Sequence, residues 1–210
     1  MQNFPESRLR IIGDDDVDGT GDYVLYWMTA FRRVDYNFSL ERAVDWSREL
    51  NKPLLVFEAL RCGYRWASDR LHKFVIEGMR DNQARLDQTH VTYFPYLEDE
   101  PDAGKGLLAA LADRACVVVS DDYPCFFLPR MVRAAKQQIP VRFELIDSNG
   151  LYPMRATEKV FARAFDFRRH LQKELRDHLE DFPRQHPLQG APLEELNRIP
   201  KSITDKWPAA

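Results

Sequence analysis

The chain has 210 residues, 44% of them hydrophobic, with 30 Lys and Arg against 33 Asp and Glu for a net charge of −3. That length fits one large domain, or a domain with a tail, and the apolar fraction can build a core. The lack of a basic surplus argues against tight nucleic-acid binding by this chain alone.

Residues 1–21 read as a polar lead-in, and "MQNFPESRLR" does not resemble a signal peptide. From Gly13 the stretch "GDDDVDGTGDYVLYWM" places Asp14, Asp16, Asp18 and Gly19 at positions 1, 3, 5 and 6 of an EF-hand loop. Position 12, which needs a bidentate Glu, is Leu25, inside a strand-like run. A solvated acidic approach to a strand is therefore expected, with no specific calcium site.

"YVLYWM" (Tyr23 to Met28) is the first predicted strand. "SLERAVDWSREL" follows at helical spacing with Ser39 as its N-cap, and Asn51 and Pro53 stop it. "LLVFEAL" (Leu54 to Leu60) is apolar on both faces, as in a covered parallel sheet. "SDRLHKFVIEGMRDNQARL" predicts a helix capped by Ser68 with Leu71, Phe74, Val75, Gly78 and Met79 facing inward. "HVTYFPYL" predicts a strand broken at Pro95, "AGKGLLAALADRA" a helix, and "CVVVS" a strand. "FLPRMVRAAKQQ" predicts a helix with Pro129 in its first turn, and "VRFELI" (Val141 to Ile146) the fifth strand. Strand and helix alternate five times, which predicts a doubly wound, three-layer, Rossmann-like α/β domain with a five-stranded parallel sheet over residues 22–155. Residues 156–182 read as a long charged helix, and 183–210 as a Pro-rich linker or docking tail.

The common chemical signatures are missing. There is no GxGxxG after the first strand, no GxxxxGK[ST] and no GxSxG. His170 and His178 are spaced eight apart, which does not suit one metal site. The three cysteines, Cys62, Cys116 and Cys125, lack CxxC spacing, which suits a reducing cytoplasmic setting. No apolar run approaches membrane-spanning length. Arg32-Arg33 with Asn37 reads either as an anion clamp or as a loop locked by Arg–carboxylate and Asn-to-backbone bonds. Asp121-Asp122 reads either as a ligand acceptor pair or as a cap. Tyr23, Tyr26 and Trp27 read as core.

The stretch "YVLYWMTAFRRVDYNFSLERAVDWSRELNKPLLVFEAL" resembles the start of the photolyase/cryptochrome family, most closely the class II cyclobutane-pyrimidine-dimer photolyases. The matching residues are Tyr26-Trp27-Met28, Arg33, Asn37 and Leu40. "HKFVIEGM", "VVVSDDYPCFFLPR" and "LIDSNGLYPM", the last through Asp147, Asn149 and Pro153, extend the resemblance over roughly residues 22–180. Phe31 departs from it, since many relatives carry an acidic residue there. The resemblance implies an antenna domain for light-dependent DNA repair, one that can hold a deazaflavin or a folate pigment. It implies as partner a helical domain that binds FAD, contacts DNA and splits the dimer, and it places the linker toward that domain near Ala210. This chain alone is then expected to bind no FAD and to repair nothing. The pigment is expected across the carboxyl ends of the strands, near Met28, Arg33, Glu58, Tyr96, Asp121 and Asn149. Met28 and Tyr96 offer ring contact and Arg33 faces an anionic tail. Glu58 and Asp121 accept hydrogen bonds, and Asn149 donates or accepts. The same six residues could instead only close loops. A stand-alone nucleotide-binding or partner-docking module of the same topology is the competing reading.

Overall fold

The predicted alternation of strands and helices builds one sheet with helices on both faces. The computed structural model describes residues 4–190 and 193–210. In chain order its elements are β1 (Leu9–Ile11), β2 (Tyr23–Met28), α1 (Phe38–Leu50), β3 (Leu54–Leu60), α2 (Asp69–Leu86) and β4 (Thr92–Leu97). Then come α3 (Leu107–Ala112), β5 (Ala115–Asp121), α4 (Leu128–Lys136), β6 (Phe143–Ile146), α5 (Ala164–Glu174) and α6 (Lys201–Thr204). The strand order is β1-β6-β5-β2-β3-β4. The five strands β2 to β6 are parallel, and the order reverses between β2 and β5, as in doubly wound sheets.

Side-chain alternation sorts the core into two layers. Val24, Tyr26 and Met28 of β2 pack with Leu40, Ala43 and Val44 of α1 and Leu86 of α2. Tyr23, Leu25 and Trp27 face Leu111 of α3 and Val132 and Ala135 of α4. Every residue of β2 and β5 is buried, so their continuous apolar runs reflect cover on both faces.

The structure corrects several sequence expectations. The sheet has six strands, because Leu9–Ile11 pairs antiparallel with β6, Leu9 opposite Ile146 and Ile11 opposite Glu144. The lead-in is thus part of the sheet, and its Arg8 is buried, donating to the Asp147, Gly150 and Leu151 carbonyls at 3.1, 3.1 and 2.8 Å. The cap of α1 is Asn37 and not Ser39, with Asn37 Oδ1 accepting from the backbone N–H of Ser39 and Leu40. β4 runs through Pro95, which an edge strand tolerates because no ladder bond needs its missing N–H. Only Met79, Asn82 and Leu86 of α2 are buried, while Leu71 and Phe74 are exposed, since the first turns of α2 stand off the sheet.

The long helix expected over 156–182 is shorter. α5 ends at Glu174, and a 3-10 turn covers Leu175–His178. The stretch 183–210 packs back on the domain. Arg184 pairs with Glu41 and Asp45, and Leu188 and Leu193 pack on the α1 layer. Ile203 and Trp207 are buried in the α3/α4 layer. Three carboxylates of the acidic stretch have partners within the protein. Asp18 Oδ1 accepts from the Thr20 backbone N–H and hydroxyl, Asp15 pairs with Lys136 and Asp22 with Arg114, while Leu25 lies wholly buried in β2. No helix among the described residues is long and apolar enough to cross a membrane.

Glu144 of β6 is fully buried and accepts from Arg42, Arg142 and Trp46 Nε1 at 2.7–3.1 Å. Desolvation opposes its ionisation, but the hydrogen bonds from Arg42 and Trp46 outweigh it and hold the carboxyl below its ordinary value of 4.5. A depressed folded-state pKa gives stability that is present above 4.5 and lost as pH falls through the folded value. Urea midpoints measured from pH 7 down to pH 3 should therefore show Glu144→Gln weaker than wild type by a margin that narrows on acidification. A margin that stays constant or widens on acidification would contradict this.

Candidate functional site

The carboxyl ends of β2, β3 and β4 open into a cleft of about 430 Å³. Its floor is Trp27, Met28, Phe57, Ala59 and Tyr96, where the strands end. One wall is the turn at Asp102, Gly104 and Gly106 leading into α3. A second is Leu128, Met131 and Ala135 of α4, and Tyr64 and Phe127 form an aromatic pair at the rim with ring centroids 6.0 Å apart. Doubly wound sheets bind ligands in this position because the helices diverge beyond the strand ends. The cleft stands on the β2 side of the point where the order reverses.

One cation is fixed in the wall. Arg32 donates from Nη1 to Glu58 Oε1 at 2.9 Å, from Nη2 to the Ala59 carbonyl at 2.8 Å and from Nε to the Thr29 carbonyl at 3.3 Å. Glu58 is fully buried and also accepts from Asn82 Nδ2 at 3.0 Å and the Tyr93 hydroxyl at 2.7 Å. Burial first, and the Glu58 carboxylate second, push the Tyr93 phenol up, so it stays protonated and donating. At the rim Arg61 is within ion-pair distance of Glu98 and Asp102. The cleft therefore offers aromatic and aliphatic surface with Arg32 fixed in the wall against a buried carboxylate, and with Arg61 and Lys105 as further cations in its lining.

The loop that carries Arg32 is set by Asp121. Its Oδ2 accepts from the backbone N–H groups of Thr29, Ala30 and Phe31 at 2.9, 2.7 and 3.0 Å, and its Oδ1 from the Tyr26 hydroxyl at 2.9 Å. Burial first, and the Asp121 carboxylate second, hold the Tyr26 phenol well above its ordinary value. Asn37 Nδ2 closes the other side on Tyr26 Oη and on the Phe31 and Arg33 carbonyls.

The structure thus divides the six residues expected near a pigment. Met28 and Tyr96 line the cleft. Glu58 lies behind the wall and anchors Arg32. Arg33 points outward and spends its guanidinium on the Asp35 and Tyr36 carbonyls, so the loop-locking reading describes it. Asp121 is a backbone anchor. Asn149 bonds the Asp122 carbonyl and Asp147 Oδ1 beyond β6 and does not line the cleft. Sequence reasoning named Arg32 beside Arg33 as a clamp candidate but chose Arg33 for the site, and it missed Gly104 and Met131. The one signal for Arg32 was its place beside Arg33 in the loop after β2. His170 and His178 both meet Tyr152, His170 through a 2.9 Å bond to its hydroxyl and His178 through ring contact.

No family model matches the chain. It is similar to the deoxyribodipyrimidine photo-lyase of Methanothermobacter thermautotrophicus, 29% identical over 170 residues that make up 80% of this chain and 37% of that protein. The enzyme of the same name from Arabidopsis thaliana is 26% identical over 190 residues, 86% of this chain and again 37% of the relative. The chain spans well under half the length of these relatives. Among solved structures, a universal stress protein from Archaeoglobus fulgidus aligns with 59% of this chain and 98% of its own, at 13% identity and a TM-score of 0.40. A universal stress family protein from Burkholderia pseudomallei gives 19% identity and a TM-score of 0.31 over 63% of this chain and 96% of its own. Likeness at that level carries no argument about this chain.

Proposed function

We propose that this chain is the antenna-chromophore domain of a class II-like deoxyribodipyrimidine photolyase that acts in cytoplasmic, light-dependent DNA repair. The observation that carries this reading is the aromatic cleft at the carboxyl ends of β2, β3 and β4. Its volume lies within the range of small-molecule sites, and its floor and rim supply ring faces for a flat heteroaromatic pigment, a deazaflavin or a folate. Similarity to two photolyases over four fifths or more of the chain supports the same reading. In this reading the chain holds and orients the pigment. Tyr96, Phe57 and Trp27 contact its ring, and Arg32, fixed by Glu58, faces a polar edge. FAD, DNA contact and dimer splitting belong to a helical domain, in the same polypeptide or in a second chain. These 210 residues alone then carry no flavin and no repair activity.

A fluorescence titration with 8-hydroxy-5-deazaflavin tests the assignment. Saturable binding is expected, weakened about tenfold in Tyr96→Leu, equivalent to roughly 1.4 kcal/mol. Arg33→Ala should bind like wild type, because its guanidinium serves loop carbonyls and the Phe31 ring outside the cleft lining. Binding that survives Tyr96→Leu but fails in Arg33→Ala would move the site elsewhere. No binding at all would favour a docking scaffold.

A further inference from the structure

The cleft wall made by the turn 102–106 has little hold of its own. α3 is six residues long, and its cap Gly106 sits at φ +92 with no side-chain hydrogen bond. Within the turn the bonds are local, Ala103 N–H to the Glu100 carbonyl and Lys105 N–H to the Asp102 carbonyl, and toward the strand ends it has a long Gly104 N–H to Glu98 Oε1 bond at 3.5 Å and the exposed Asp102–Arg61 pair at 3.7 Å. The turn also passes so close to Tyr96 that a Cβ on Gly104 would stand 3.0 Å from its ring.

Long-range support arrives from residues 201–210. Trp207 Nε1 donates to the Ala103 carbonyl at 2.9 Å. The Trp207 ring lies against Gly106, 3.5 Å from where a Cβ would be, and is 5% exposed. Ile203 is buried in the same cluster as Leu107 and Leu111. The Ala210 N–H donates to the Pro95 carbonyl at 2.9 Å, next to Tyr96. The segment therefore holds the cleft wall from the turn and from β4 together. Among the described residues between 179 and 200 there is no helix or strand, so the segment is joined to the body through irregular chain.

We propose that Trp207 is a positioning residue of the cleft: residues 201–210 clamp the turn 102–106, and a ligand in the cleft and the docked clamp stabilise each other. This rests on the cleft being the ligand site assigned above. A clamp on irregular chain opens more cheaply than the sheet does. A ligand that fits only the clamped wall shifts the population toward it by its differential affinity, and the coupling is reciprocal.

Hydrogen exchange read by mass spectrometry on the full 210-residue chain tests this. In Trp207→Ala the amides of 103–108 should exchange about tenfold faster while β2 and β5 keep their protection. Trp207→Phe, which keeps a ring but loses the donor, should fall between. Deazaflavin should bind Trp207→Ala about tenfold more weakly and should slow exchange at 103–108 and 201–207 in wild type. Unchanged exchange at 103–108 in both variants overturns the clamp even where deazaflavin binds. If deazaflavin fails to bind wild type, the pigment assignment falls, and the exchange comparison alone decides the clamp. Should Trp207→Ala lose protection in β2 and β5 as well, Trp207→Phe decides: faster exchange at 103–108 than in wild type supports the clamp, and unchanged exchange there overturns it.

Discussion

Replacing Asp121 with alanine should cost about 3–5 kcal/mol of folding stability, more than most single substitutions. The carboxylate is 2% exposed and accepts three backbone N–H groups and a phenol. Alanine leaves all four donors without that acceptor in a place water reaches poorly, and hydrogen bonds to an ionised acceptor are the strong ones. Against a typical total of about 5–15 kcal/mol the loss is large. Asp121→Asn keeps a neutral acceptor and should cost less. In a chain of this size each kcal/mol moves Tm by roughly 2–4 °C, so a drop near 10 °C is expected by calorimetry. A shift of only a degree or two in Asp121→Ala would show that the loop does not depend on this anchor.

Glu58→Ala should be nearly as costly, about 3–5 kcal/mol, because it strands a guanidinium at the cleft wall together with an amide and a phenol. The informative measurement is a double-mutant cycle with Arg32→Ala. The pair is direct, at 2.9 Å, and one partner is fully buried, so the double variant should be more stable than the two single losses predict by about 1 kcal/mol or more. Additive losses would mean that Arg32 is held by the Ala59 and Thr29 carbonyls alone, and the balanced charge assigned to the cleft would have to be abandoned.

Sequence made the central sheet legible because β2, Leu54–Phe57 of β3 and Ala115–Val119 of β5 are unbroken apolar runs, which follows from cover on both faces. β1 was not legible. Three residues have no periodicity to read, and their strand state comes from the partner edge of β6. The same limit hid the docking of Ile203 and Trp207, whose burial depends on a surface formed a hundred residues earlier. In the cleft, Met28 and Tyr96 were legible as residues at the carboxyl ends of strands. The choice between Arg32 and Arg33 was not, because side-chain direction there is decided by how Asp121 bends the chain at 29–31. Glu58, Asp121 and Asn149 were expected near a pigment as polar groups at strand ends. Their partners turned out to be the protein itself, since a polar atom buried at a strand end must be satisfied whether or not a ligand comes.

The two ends of the sheet have a consequence for the behaviour of many copies together. An open strand edge is a template on which another chain can add, and long flat edges promote aggregation. Here one edge is β1, only three residues long and antiparallel to its neighbour. The other is β4, where Pro95 removes a donor from the middle of the strand and the Ala210 N–H already occupies its carbonyl. Neither margin presents a continuous row of free donors and acceptors. The fold can therefore expose an aromatic-rimmed cleft at high concentration while denying neighbouring molecules the backbone pairing through which sheets grow into fibres.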